Sequence, residues 1–308
     1  MEEVTTNSQQ SPWTRVVLSI LVALFGFIII GPVVGMFLAL PFFEGSPTEF
    51  LEYLMSPVGH PEIKIPLFIV QGAATLIGLA LVPAYYLYRS QGIKVQKLFS
   101  SASLTNVALV IAIVIFFMGF NSIFIGWNAG VTLPDFLAEF EAWAREKEDI
   151  ATRITQFLTS FDSTAQFMVA FIVIAVLPAF GEELVFRGMV QRELHKGTGN
   201  IHVAIWIAAC LFSALHLQFF GFVPRVLLGA LFGYLYHWSG NLLIPVIAHF
   251  VNNGFSLLMI YFHKTEIAGV DLESPKAAPW PIVLTFSFLT FTLLYYFRKT
   301  QKEQTPQA

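Results

Sequence analysis

Residues 171–188 read FIVIAVLPAFGEELVFRG, an apolar run that ends in two adjacent glutamates and an arginine four positions after the second of them. The run extends back to Ala165 and on to Leu194, thirty residues in all. About 20 apolar helical residues cross the roughly 30 Å hydrocarbon core of a bilayer, and only a helix satisfies its own backbone groups there when no amphipathic strand pattern is present. This stretch is therefore a membrane helix carrying ionisable groups in its interior.

Working outward from it, the rest of the chain reads the same way. Seven further runs, at 16–43, 65–88, 104–127, 201–217, 219–238, 241–262 and 280–297, predict an all-α polytopic membrane protein with about eight transmembrane helices. The composition agrees. Of 308 residues 56% are hydrophobic and only 12% charged, whereas a water-facing surface needs roughly a quarter charged. A net charge of -3 excludes a nucleic-acid binder. The single cysteine, Cys210, permits no intrachain disulfide and is expected to be a small buried hydrophobe. The first run lacks a small-residue cleavage pattern and is expected to be a retained helix.

Basic residues near the span ends set the orientation. Arg89, Lys94 and Lys97 follow the second run, Arg192 and Lys196 the fourth, and Arg298, Lys299 and Lys302 the last. The first connection carries Glu44, Glu49, Glu52 and Glu62 against Lys64, and the third carries seven acids against three bases. Both termini are expected in the cytoplasm, in the plasma membrane of a prokaryote. Within one integral membrane domain, 1–308, residues 133–162 form an extramembrane insert. Its apolar residues recur at three- and four-residue steps, which predicts one or two amphipathic helices that rest on the membrane surface or serve as a lid or partner-docking element.

An ionisable group inside a span costs about 2.5 to 3.5 kcal/mol on insertion scales, so a cluster of them requires a function or a partner. Glu183 and Arg187 have the i,i+4 spacing and order of a helical ion pair, which leaves Glu182 free to face a cavity about 100° around the helix. Phe212 with His216, and His249 with Asn253, repeat the four-residue spacing on two other runs. Measured at 1.5 Å per residue from the cytoplasmic span ends, Glu182, His216, His249 and Asn253 lie about 18, 23, 12 and 18 Å deep. One shared pocket follows. A carboxylate, two imidazoles and an amide suit acyl hydrolysis: Glu182 as general base, His216 sharing or orienting the water, His249 and Asn253 as oxyanion donors. Glu182, His216 and His249 could instead hold a divalent metal such as zinc, although the His-Glu-x-x-His pattern is absent. Among the remaining polar residues, His202 and His237 read as helix-to-helix hydrogen bonds, and Arg225 as a side chain snorkelling from an outer span end.

Three ordered motifs, Glu182-Glu183-x-x-x-Arg187, Phe212-x-x-x-His216 and His249-x-x-x-Asn253, resemble those of the CPBP intramembrane proteases, the group that includes type II CAAX prenyl endopeptidases and bacteriocin-processing or immunity proteins. The resemblance covers roughly 181–253, inside a motif-bearing core at 165–262. It implies an eight-helix fold, proteolysis near the C-terminus of a membrane-associated peptide, water activation by Glu182 and His216, and an oxyanion held by His249 and Asn253. It also implies structural support from Glu183, Arg187 and Phe212. The rival reading is a non-enzymatic membrane scaffold, an immunity-like protein or a small transporter that uses the same buried polar cluster.

Overall fold

The computed structural model describes residues 10–264 and 279–304. Its regular structure among these residues is helical throughout. Seven helices are long and apolar enough to cross a membrane: α1 (Pro12–Phe42), α3 (Pro61–Gln91), α4 (Leu104–Ala129), α6 (Thr164–Thr198), α8 (Phe219–Ser239), α9 (Leu243–Lys264) and α10 (Trp280–Gln304). Two more, α2 (Pro47–Met55) and α5 (Ala138–Thr159), are amphipathic. The eighth expected span is the shorter α7 (Ile201–Ala214), 14 residues and about 21 Å long. It stops three residues before the expected end. Leu215 to Leu217 turn away, and Leu217 takes φ 54°, a left-handed conformation that costs a non-glycine residue about 1–2 kcal/mol. That turn presents His216.

Local chemistry explains where the helices begin. Ser11, Ser103, Ser163 and Asn200 each accept a backbone N–H of the first turn they precede, and Ser46 forms a capping box with Glu49. Gly199 closes α6 with φ 66°, so that α7 can reverse direction within two residues.

Small residues set how the helices cross, because between helices in lipid close van der Waals contact replaces the hydrophobic drive. Antiparallel α1 and α3 touch at Gly26 and Gly78, where a Cβ on Gly78 would lie 2.5 Å from the Gly26 carbonyl. Gly31 meets Ala74 and Gly35 meets Val70 along the same line. Gly229 and Gly233 of α8 pack likewise on Ala209 and Ile205 of α7. Helices α1, α3 and α6 each contain π-helical turns, including Phe171–Val176 and Phe186–Gln191 on either side of the glutamate pair. Such wide turns are rare and concentrate at functional sites.

The largest apolar cluster joins α4, α8, α9 and α10 through Val110, Ile113, Phe117, Phe232, Ile244 and Phe297. The insert forms one helix. Its C-terminal half packs Leu158 with Leu67, Phe68, Phe161 and Phe167, and Lys64 holds that end through the backbone and hydroxyl oxygens of Ser160. Its N-terminal half covers the turn after α7: Phe140 meets Phe219 edge-on at 5.5 Å, and the Arg145 guanidinium lies 4.0 Å from the centre of the Phe220 ring. Cys210 departs from expectation. It is exposed, on an α7 surface that also bares Val203 and Trp206, because an apolar helix in lipid need not turn its small apolar residues inward.

Candidate active site

Helix α6 places Glu183 and Arg187 one turn apart, and both are fully enclosed by protein. Arg187 Nη1 donates to Glu183 Oε1 at 3.0 Å, while Nη2 donates to the Gly229 carbonyl at 2.7 Å. One turn further, Gln191 Nε2 donates to the Gly233 carbonyl at 3.2 Å. The glycines let α8 come near enough for these bonds. The Arg187 guanidinium also lies 5.1 Å from the Phe212 ring centre and 5.5 Å from that of Phe232, so aromatic faces take up charge that water would otherwise solvate.

Glu183 has a second bond that local spacing does not disclose. His249 Nδ1 lies 2.9 Å from Glu183 Oε1, and the imidazole stacks on Phe232 with centroids 5.1 Å apart. A carboxylate only accepts, so Nδ1 carries the proton and Nε2 is left as an acceptor in the neutral ring. His216 reaches the same state by another route. Its Nδ1 faces the Phe212 carbonyl at 2.8 Å, which again puts the proton on Nδ1. Phe212 therefore supports the site twice, through that carbonyl and through its ring, whose centroid is 4.9 Å from that of His216.

The two Nε2 atoms converge on Glu182. His216 Nε2 is 4.0 Å and His249 Nε2 3.9 Å from Glu182 Oε2, an oxygen shielded from solvent and without a hydrogen-bond partner among the described residues. A water oxygen about 2.8 Å from each of two such atoms would subtend roughly 90° between them. The gap thus fits one water. Three acceptors surround it, whereas water has only two protons to give, so full satisfaction requires one further proton on Glu182 or on an imidazole.

Asn253 stands apart. Its Nδ2 donates to the Ile174 carbonyl at 3.3 Å and its Oδ1 accepts from Asn252 at 3.1 Å, while no hydrogen bond joins it to Glu182, His216 or His249. It lies one turn along α9 from His249, with one amide hydrogen uncommitted. Beside Glu182 and His216 opens a cavity of about 300 Å³, whose other walls are Ile20, Leu24, Phe27, Leu79 and Leu215 among further apolar residues. Those walls come partly from α1 and α3.

Several residues that shape the site carried no sequence signal. Asn128 and Asn121 on α4 hold the start of α8: Asn128 Oδ1 accepts the Val223 N–H at 2.9 Å and Asn121 Nδ2 donates to the Pro224 carbonyl at 3.1 Å. Glu148 on α5 lies against the N–H groups of Phe220 and Gly221, and its burial there raises its pKa above the ordinary carboxylate range. Arg225 does not behave as a free snorkelling side chain. It donates to Gln218 Oε1 at 2.6 Å, and its charge is near enough to act on Glu182, Glu148 and His216. His202 does form the expected bridge, to the Tyr234 hydroxyl at 2.9 Å.

Glu182, His216 and His249 have the donor types of a catalytic zinc site, but donors about 2.1 Å from one tetrahedral centre stand about 3.4 Å apart. The observed separations are wider, and among the described residues no group of three His, Cys, Asp or Glu side chains is gathered as a metal ion requires.

Comparison with known proteins bears on the same segment. Residues 164–255 match the family described as Rce1-like, "Type II CAAX prenyl endopeptidase Rce1-like", and so contain all three motifs. The "Uncharacterized protein YpbD" of Bacillus subtilis is 29% identical over 117 residues, covering 34% of this chain and 57% of that protein. The "Membrane-embedded CAAX protease MroQ" of Staphylococcus aureus is 33% identical over 90 residues, covering 28% of this chain and 36% of that protein. The chain thus spans little more than half of one curated relative and about a third of the other. No solved structure matches. The resemblance to CPBP proteases holds for this segment, in an all-α integral membrane protein.

Proposed function

We propose that this chain, Rce1-like over residues 164–255, is an intramembrane endopeptidase that cleaves a peptide bond near the C-terminus of a membrane-associated peptide. One observation carries the reading: Glu182 Oε2, buried and unpartnered, stands 3.9–4.0 Å from two imidazole nitrogens at the polar end of an apolar cavity. A site of that form holds a water and a hydrophobic substrate segment together.

Glu182 takes a proton from the water as hydroxide adds to the scissile carbonyl, and returns it to the leaving amine. His216, fixed by its bond to the Phe212 carbonyl, orients the water through Nε2. His249 supplies an oxyanion donor as the imidazolium. Glu183 stabilises that form by accepting from Nδ1, and Arg187 donates to the same carboxylate oxygen. The uncommitted hydrogen of Asn253 is the second donor. None of these steps requires a metal. On this reading the chain sits in the plasma membrane of a prokaryote with both termini in the cytoplasm, the orientation that the basic residues near its span ends favour.

The test is cleavage of a candidate membrane peptide by purified protein. Glu182→Gln keeps shape and removes the base, so turnover should fall by about a hundredfold or more while the protein stays folded, and His216→Ala should behave alike. Activity surviving thorough chelation supports the glutamate mechanism, whereas loss that zinc restores assigns Glu182, His216 and His249 to a metal. Full activity in Glu182→Gln would return the polar cluster to a scaffold.

A further inference from the structure

Among the described residues, Arg225 is a cation at the rim of this site with no carboxylate within ion-pair distance. Helices α6 and α8 run parallel in a register given by two bonds, Arg187 to Gly229 and Gln191 to Gly233. One turn back, the same register sets Arg225 opposite Glu183, at the level of the glutamate pair. Its Nη2 donates to Gln218, a neutral amide, and the guanidinium lies flat against Gly221, where a Cβ would be 3.2 Å from Nη2. Nη1 is shielded from solvent and has no acceptor among the described residues. Three groups feel the charge, Glu182, Glu148 and His216, yet among the described residues no carboxylate lies within ion-pair distance of it. Arg187 also keeps one shielded N–H, at Nε, without an acceptor, but unlike Arg225 it has a bonded carboxylate, a carbonyl and aromatic faces to meet its charge.

Leaving a shielded guanidinium N–H unmatched is costly, and a charge with no carboxylate beside it is best met by an acceptor from outside the fold. In a peptide-cleaving site the anionic acceptors that a substrate brings are carboxylates, which the planar fork of an arginine binds in two-point fashion. We propose that Arg225, at the level of the glutamate pair and outside the lining of the apolar cavity, binds a carboxylate of the substrate, so that a peptide with its apolar part in the cavity is drawn across Glu182. This rests on the endopeptidase reading and adds a specificity-determining residue to it. The carboxylate is either the chain terminus or an acidic side chain.

Three fluorescein-labelled apolar peptides in detergent micelles decide the matter: one with a free C-terminus, its C-terminal amide, and the amide bearing one aspartate at the last position. Wild-type protein should cleave the first or the third about ten- to a hundredfold faster than the plain amide, and which of the two is preferred identifies the source of the carboxylate. In Arg225→Gln that ratio should collapse toward one, and in Arg225→Lys, which keeps the charge but not the fork, it should survive in part. A residue that merely balanced the charge of Glu182 would slow all three peptides together and leave the ratio intact. Equal cleavage of all three by wild-type protein removes the carboxylate site and leaves the endopeptidase reading standing, a result that does not depend on how any variant folds. Binding of the same peptides to Glu182→Gln separates the opposite failure: a carboxylate preference in binding, with no cleavage by wild-type protein, keeps the site and removes the protease. Where wild-type protein cleaves none of the three, absence of any preference in binding overturns the proposal.

Discussion

Replacing Arg187 with alanine should damage the fold far more than replacing Glu182 with glutamine, although the residues sit little more than a turn apart on one helix. Arg187 is 1% and Glu183 0% exposed, and their charged atoms are 3.0 Å apart. At an effective dielectric near 20 the gross attraction over that distance is about 5.5 kcal/mol. Alanine removes it, strands Glu183 as a buried charge, and leaves the Gly229 carbonyl without its donor. His249 remains bonded to Glu183 and can offset part of the loss by taking up a proton. A net destabilisation of about 3 to 5 kcal/mol follows, or roughly 5 to 8 °C in melting temperature. Glu182 has no bonded partner, so its neutralisation should cost about 1 kcal/mol or less. Thermal melting of the two variants in one detergent, followed by size exclusion, makes the comparison. If Arg187→Ala melts within about 2 °C of Glu182→Gln, the network around Glu183 does not carry the load assigned to it here. The paired variant Glu183→Gln with Arg187→Met should recover much of the loss, because an apolar pair of similar volume leaves no charge buried.

Other expected outcomes are as direct. Asn253→Ala should lower cleavage by about 2.7 to 4 kcal/mol of transition-state stabilisation if its free hydrogen reaches the oxyanion, read as a loss in kcat with KM nearly unchanged; a pure rise in KM would contradict that role. Glu141 accepts the Leu133 N–H at 2.6 Å and a bond from Arg145, which hold its pKa below 4.5 in the folded state. The stability from this clasp at the head of α5 is thus complete above pH 4.5 and lost as the pH falls through the lower folded value, and amide exchange at Leu133 should accelerate over that window. Gly78→Ala should be poorly tolerated, since its Cβ would lie 2.5 Å from Gly26 backbone, whereas Gly72→Ala, 3.5 Å from a Val173 methyl, should melt near wild type. Reporters fused after Lys97 and after Lys302 should both read out in the cytoplasm, and an outward signal at either would reverse the orientation.

What could be read from the chain itself was whatever helix geometry makes local. Apolar run length announced the spans, and the four-residue step announced the Glu183–Arg187 pair, because both depend only on rise and turn per residue. The convergence of three motifs was legible for a related reason: polar groups in lipid are expensive enough to be noticed. Local arithmetic failed where a helix ended early. His216 belongs to a strained turn after α7 and not to its last turn, and hydropathy along 201–217 contains nothing that marks Leu217 as the break.

Tertiary structure decided the rest. The bond from His249 to Glu183 spans 66 residues, and it turns a supporting glutamate into the group that sets which nitrogen of His249 faces Glu182. The grip of Arg187 on Gly229 and the inward lie of Arg225 depend on how α6 and α8 are rotated and slid against each other. The bare Gly233, against which the Gln191 side chain of α6 lies, lets the two helices come that close. In water, polarity would have signalled which face of each helix lies inside. In lipid both faces are apolar, as the exposed Cys210 on α7 shows, so facing and register are chosen by close packing between helices and not by the hydrophobicity that a sequence displays.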